Sequence, residues 1–468
     1  MTPADSAEAQ RTRSFYIVVT ALAAATGAFF IGYDGSIISA AITYVRDYFH
    51  LSPRSLGFVM GSGVIGCMIG PLFGGWVCDR FGREKAMMIG ASLMGFGALI
   101  TALAPSTALF ITFRIVCGFA AGLIAIASPM YIAEVAPPAI RGKIGLCYQL
   151  AIVVGSTAAP FGALPFSYLS EVHHGHAAYF SPEMSWRLMI ASQLVIMPPL
   201  FYFLFQLPPS PRWLADRGRF PEALAVLKKV HEPRLAELEL AEIRNAVKAE
   251  EGGWGELWQP GIRFALLIGL CLAFFNNWTG WSAMGGYITV LVELSGVIQH
   301  SSAIFDYALT YLTMAIVTVI SMFLVDRVGR RPLWIFASFL MALVTLATGF
   351  VFHYHLHGPI VLVLLCLCTV PHGIALGGLP WLMMSELYPN RVRAKAVALN
   401  TAFLFTVIFS CTQLFPIFSD LSTRQIGSVA GVFWLFTGIC LLSALFGCTI
   451  MPETKGRTLE DIAGSMKH

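Results

Sequence analysis

The chain has 468 residues, of which 57% are hydrophobic and only 12% charged. Soluble domains carry about 25% charged residues, so the composition excludes an ordinary soluble globular protein and leaves an integral helical membrane protein, with the lipid bilayer as its solvent. The net charge of +4 points to no nucleic-acid partner, and ten cysteines scattered through apolar segments point to neither a disulfide framework nor a zinc site.

Runs of roughly 20 apolar residues cross a bilayer as helices. Twelve are read in chain order, at about 16–43, 56–78, 86–105, 107–132, 144–166, 187–207, 263–291, 303–325, 333–353, 359–384, 396–418 and 427–450. The first is too long for a signal peptide and lacks a small-residue cleavage pattern, so it is expected to stay as a span. Of the 30 Lys and Arg, only Arg46, Arg54 and Arg424 fall in loops opposite the N-terminal side, with Arg114 and Arg187 in or at the edge of spans. That bias predicts a multi-pass plasma (inner) membrane protein with both termini cytoplasmic. Between the sixth and seventh spans, PEALAVLKKV and LELAEIRNAVKAEE have helical spacing and predict short amphipathic helices. The expected layout is a six-helix bundle over residues 1–207, a cytoplasmic linker over 208–262, a second six-helix bundle over 263–450 and a cytoplasmic tail over 451–468.

The halves repeat each other. DRFGREK at Asp79–Lys85 returns as DRVGRRP at Asp326–Pro332. EVAPPAIRGK at Glu134–Lys143 returns as ELYPNRVRAK at Glu386–Lys395, displaced by nearly the same number of residues. PPSPRWLADRGR (208–219) and PETKGRTLEDI (452–462) then close the sixth and twelfth spans. Two like bundles are a common transporter plan, with substrate bound at their interface near the membrane midplane.

With GYD (32–34), the Arg114 to Gly118 spacing, QLAIVVG (149–155) and Trp186–Arg187, these motifs cover nearly the whole chain. The chain resembles the major facilitator superfamily, and within it the sugar porter family. The resemblance implies an all-α fold of twelve transmembrane helices in two pseudo-symmetric six-helix bundles, and secondary transport by alternating access.

Asp34 and Arg114 are strong charges inside spans, at similar depth. Ionisable residues are rare there and often mark ion pathways. The resemblance implies that the two are partners. A nearby cation keeps the acid ionised, whereas separation lets desolvation favour the protonated form. Asp34 is therefore read as the proton-coupling carboxylate; a permanent structural pair, or an Asp capping a helix break beside Gly32 and Gly35, is the alternative. The resemblance also implies a gating salt-bridge network of Asp79, Arg80, Arg83, Glu134 and Arg141 with Asp326, Arg327, Arg330, Glu386 and Arg393. A network is required because isolated exposed pairs contribute only about 0–1 kcal/mol.

Gln149 and Trp381 match the family's sugar-contacting glutamine and tenth-span tryptophan. In the seventh span NNWTGWS places Asn276, Asn277 and Ser282 at the family's polar positions, and His372 stands where the family often has an aromatic. These six are the candidate substrate contacts. The outer-loop histidines His173, His174, His176, His353, His355 and His357 read as solvated rather than metal-binding.

The expected activity is proton-coupled symport of a sugar, polyol or sugar acid by a functional monomer, with no cofactor and the proton gradient as energy source. A facilitative uniporter, an organic-acid/proton symporter and a non-transporting nutrient sensor are the open alternatives. No nucleophile–base or metal constellation suggests an enzyme.

Overall fold

The computed structural model describes residues 3–135, 138–172, 181–230, 232–248, 254–296, 299–356, 358–388 and 390–453, and among them the chain is helical with no strand. Twelve helices are long and apolar enough to cross a membrane. They are Phe15–Phe49, Pro53–Phe81, Arg83–Leu103, Thr107–Ile132, Tyr148–Val172, Pro182–Leu204, Pro260–Trp278, His300–Val325, Arg330–His353, Pro359–Met384, Lys395–Ile426 and Ala430–Thr449. A helix satisfies its own backbone hydrogen bonds, which lipid cannot do, so each apolar run folds this way. Large side chains such as Leu72, Trp76, Phe323, Leu343 and Leu442 are exposed on the spans, where acyl chains rather than water cover them.

Local sequence sets the helix ends. Ser52 and Ser181 accept a hydrogen bond from the backbone of the third residue onward, each with proline in the first turn. The sixth and seventh spans are joined by a polar segment carrying the helices Pro211–Asp216, Phe220–Val230 and Pro233–Lys248. The last two pack together, with Lys228 Nζ 3.4 Å from Glu237 Oε1.

The sequence repeat becomes one structural joint used twice. Gly82 (φ 97°, ψ 156°) and Gly329 (φ 105°, ψ 163°) link spans two to three and eight to nine, in a backbone region that other residues rarely enter. The segments closing each half dock on these joints. Trp213 Nε1 donates to the Asp79 carbonyl at 2.9 Å, and Glu453 accepts from the backbone N–H groups of Arg330 and Arg331, both at 3.1 Å. An acid at that position faces the positive end of the ninth span. In the first half all three repeated motifs thus meet at one side of the membrane, here named the terminal side because the first span starts there.

The two halves pack chiefly through spans two and eleven and spans five and eight. Opposite the terminal side, on the far side, hydrogen bonds cross the seam. Thr289 Oγ1 donates to the Ser39 carbonyl at 2.9 Å, Tyr307 Oη to that of Ser36 at 3.1 Å, and Gln413 Nε2 to that of Arg54 at 3.1 Å. The molecule is therefore closed on the far side.

Candidate functional site

Asp34 and Arg114 meet. Arg114 Nη1 donates to Asp34 Oδ1 at 2.7 Å, and each residue is only 4% exposed. Charge-assisted hydrogen bonds of this kind are short and strong. Deleting either side chain outright would leave the other's buried charge without a polar partner, at about 3–5 kcal/mol. The pair lines a cavity of about 270 Å³ at the seam between the halves, with Ser39 on its own side and Trp281, Ser282 and Thr412 from the other half.

The seventh span builds the opposing wall. It runs helically over Pro260–Trp278, breaks at Gly280 (φ 108°), and resumes over Trp281–Gly286 and Ile288–Leu294. The left-handed turn at Gly280 changes the direction of the chain and presents Trp281 and Ser282 to the cavity. The tenth span carries a wide turn over His372–Leu376, closed by Gly377 N donating to the His372 carbonyl at 2.8 Å. Four residues on from Leu376 stands Pro380, which has no N–H to offer its carbonyl, and Asn276 Nδ2 donates to Leu376 O at 2.5 Å and to Gly377 O at 3.2 Å.

Of the six substrate candidates, Ser282 lines the cavity. Asn277 stands behind it, accepting from Ser282 Oγ at 2.5 Å and donating to Ala273 O at 3.1 Å. Asn276 ties the seventh span to the tenth. His372 is buried behind Trp281, with ring centroids 4.8 Å apart. Gln149 and Trp381 are exposed on the terminal-side parts of spans five and ten, outside the group lining the cavity. The cavity's Trp281, Thr412 and Ser39 were not legible as contacts, because nothing local shows which way a helix is turned.

On the terminal side Arg83 is the hub. Its guanidinium lies 3.0 Å from Glu134 and 3.4 Å from Asp79, and Ser210 Oγ also donates to Glu134. Burial pushes the Glu134 carboxyl above its ordinary value, with Arg83, Ser210 and Arg212 pulling it back. Arg80 and Arg327 are exposed. Arg330 is anchored through its backbone to Glu453, and its Nη1 donates to the Val325 carbonyl at 3.5 Å. The side chains of Arg141, Asp326, Glu386 and Arg393 lie outside the described residues, as do His173, His174, His176 and His357. His353 packs on Trp434 and His355 is exposed.

A second charged cluster, on the far side, escaped the sequence reading. Glu293 accepts from Arg46 Nη2 at 3.3 Å and lies 2.7 Å from His300 Nδ1. Glu171 accepts from Ser301 N at 2.8 Å and from Ser301 Oγ. Both links cross the seam, and the Tyr44 and His300 rings pack across it with centroids 4.6 Å apart and planes tilted by 46°. Carboxylates at span ends read in sequence as solvated loop charges; only their partners from the other half mark them as a latch. Glu293→Gln is expected to speed labelling of Cys67, which lines the cavity, by a far-side impermeant thiol reagent about five- to tenfold, since losing about 1.4 kcal/mol of closure shifts a population tenfold. Unchanged labelling would show that the apolar seam alone holds the far side shut.

Twelve spans in two repeated halves, with a buried ion pair and a cavity at the seam, define a multi-pass membrane transporter of the major facilitator fold, not an enzyme. The family described as "Sugar (and other) transporter" matches residues 19–465, and the chain belongs to it. An arabinose-proton symporter of Bacillus subtilis (strain 168) is 35% identical over 449 residues, which are 96% of this chain and 94% of that protein. A galactose-proton symporter of Escherichia coli (strain K12) is 29% identical over 465 residues, covering 97% and 95%. Among solved structures, the inward open conformation of the xylose transporter XylE from E. coli is similar with a TM-score of 0.81 and 27% identity, over 96% of this chain and 100% of that one. The proton:xylose symporter XylE bound to 6-bromo-6-deoxy-D-glucose is similar with a TM-score of 0.76 and 27% identity, over 97% and 100%.

Proposed function

We propose that the protein imports a sugar or sugar-like polar solute together with protons, by alternating access between its two halves. The observation that carries this is the Asp34–Arg114 pair, 2.7 Å apart and opening into the same seam cavity as Ser282 and Trp281. Solute bound at the seam and a proton on Asp34 are then sensed by the same rearrangement. Relatives named as proton symporters of arabinose and galactose support the reading.

In this cycle the proton gradient is the energy source and no cofactor takes part. The terminal side is cytoplasmic in a plasma (inner) membrane, each monomer works alone, and the far side faces outward. Protonated Asp34 loosens its hold on Arg114, and the halves move about the cavity. When the latch at Glu293 and Glu171 opens, the terminal-side charges of the two halves, the Arg83–Glu134 hub in the first and Glu386 and Arg393 in the second, come together and close the cytoplasmic side. Ser282 contacts the solute, the amides of Asn276 and Asn277 hold the broken span in place, and Gln149 and Trp381 complete the contacts as the terminal side closes.

The test is uptake into proteoliposomes of labelled arabinose, galactose, xylose, a polyol and a sugar acid, with and without a pH gradient. Accumulation above equilibrium that a protonophore abolishes is the expected result. Uptake that never exceeds equilibrium would replace symport by facilitated diffusion, and no uptake of any sugar or polyol would end the sugar reading.

A further inference from the structure

The cavity needs an apolar face for the C–H surface of a ring, and the structure has one that no sequence motif marked. Trp281 projects into the cavity just after the Gly280 break, on the wall opposite Asp34 and Arg114. Its indole is held on two sides. His372 stacks on it at 4.8 Å with the planes 24° apart, and Tyr311 lies 5.7 Å away at 43°. His372 is 6% exposed, and its Nδ1 has no hydrogen-bond partner among the described residues. Its ring gives the indole a flat packing surface. Its space is reserved from behind, since a Cβ at Gly377 would lie 2.7 Å from His372 Nε2. Asn276 fixes the same turn by binding the carbonyls of Leu376 and Gly377. The chain therefore immobilises the indole between Tyr311, which also lines the cavity, and a backing layer of His372 and Asn276, which does not.

We propose that Trp281 is the aromatic platform on which the transported ring lies, and that His372 is a positioning residue that holds the indole at the depth limiting ring size. This rests on the seam cavity being the substrate site. With its C–H face on Trp281, a sugar ring turns its hydroxyls toward Asp34, Ser39, Ser282 and Thr412, which line the same cavity. Because the fixed indole bounds this cavity, the extra exocyclic carbon of a six-carbon ring is the group that meets Trp281, and a five-carbon monosaccharide is favoured over its six-carbon homologue. In a confined pocket one extra carbon is worth roughly ten- to two-hundredfold in specificity.

The experiment measures kcat/KM for pairs of solutes that differ by one carbon: xylose and glucose, arabinose and galactose, xylitol and sorbitol. Wild-type protein is expected to prefer the smaller member of each pair. Trp281→Leu should raise the larger-to-smaller ratio about tenfold. His372→Ala should raise it at least about threefold, whereas His372→Phe, which preserves the stacking face, should stay within about twofold of wild type. A ratio is insensitive to how much protein folds, so poor expression does not imitate the effect. Transport with an unchanged ratio in Trp281→Leu overturns the platform. A shift in Trp281→Leu with none in His372→Ala overturns the positioning role. Wild-type protein that transports no member of any pair ends the sugar reading itself, and this inference falls with it.

Discussion

Asp34→Asn is expected to abolish accumulation of solute against a gradient while leaving exchange of solute across the membrane within about threefold of wild type. Asparagine has nearly the shape of aspartate and keeps an oxygen that can accept from Arg114 Nη1, so the 2.7 Å contact can persist in weakened form. It cannot bind and release a proton. One pH unit is worth 1.36 kcal/mol per proton, or about tenfold accumulation for one proton per solute. The accumulation ratio in the variant should therefore fall from about ten to about one under that gradient. Counterflow of labelled against unlabelled solute reports the exchange arm, which needs only the conformational cycle. Concentrative uptake that survives the substitution would remove Asp34 from the coupling step and make the pair purely structural.

Gly118→Ala is expected to cost about 3 kcal/mol or more, the upper end of the range for overpacking, and to deplete folded protein. A Cβ at Gly118 would sit 1.8 Å from the Gly63 carbonyl oxygen, a distance no rotamer can relieve. Spans two and four would have to separate. Arg114 lies one turn earlier on the same face of the fourth span, and its Nη2 would be 2.9 Å from a Cβ at Gly63. The glycine is thus what lets the fourth span approach closely enough to seat the arginine against Asp34. Gly438→Ala in the twelfth span is the matched control, because nothing lies within 4 Å of its added carbon. The measurement is monodisperse yield and thermal midpoint in detergent; equal midpoints for the two variants would overturn the packing argument.

Much of the architecture was legible because lipid is a severe solvent. An apolar run of about 20 residues has few folded options other than a spanning helix, so all twelve spans emerge, most with boundaries shifted by a few residues; the seventh stops at Trp278 instead of 291 and the eleventh runs on to Ile426 instead of 418. The repeated motifs were legible for a different reason. DRFGREK and DRVGRRP each need a glycine at one positive-φ joint, and that demand leaves a fixed trace in the sequence. Asp34 and Arg114 stood out because a charge inside a span is costly wherever it points.

Orientation and partnership were decided elsewhere. Asn276 and Asn277 have the chemistry of sugar contacts, yet their amides bind backbone carbonyls of spans ten and seven. Trp281 was not among the candidate contacts, yet it forms part of the cavity wall. Glu171 and Glu293 lie beyond the ends of the spans read from sequence and carried no motif, yet they bind Ser301 and Arg46 across the seam. Each helical position is turned by about 100° from the one before it, so one residue's difference in rotation moves a side chain from cavity to backing layer.

The amino-acid sequence by itself determined the solvent, the number of spans, the two-fold repeat and the presence of an acid and an arginine at the same depth. Those follow from transfer energies and local backbone demands, which act within a few residues. The tertiary structure alone decided which surfaces face the seam, which polar groups are consumed by the backbone, and which charges latch the far side. Those outcomes depend on contacts between residues hundreds of positions apart, and only the packed helices bring them together.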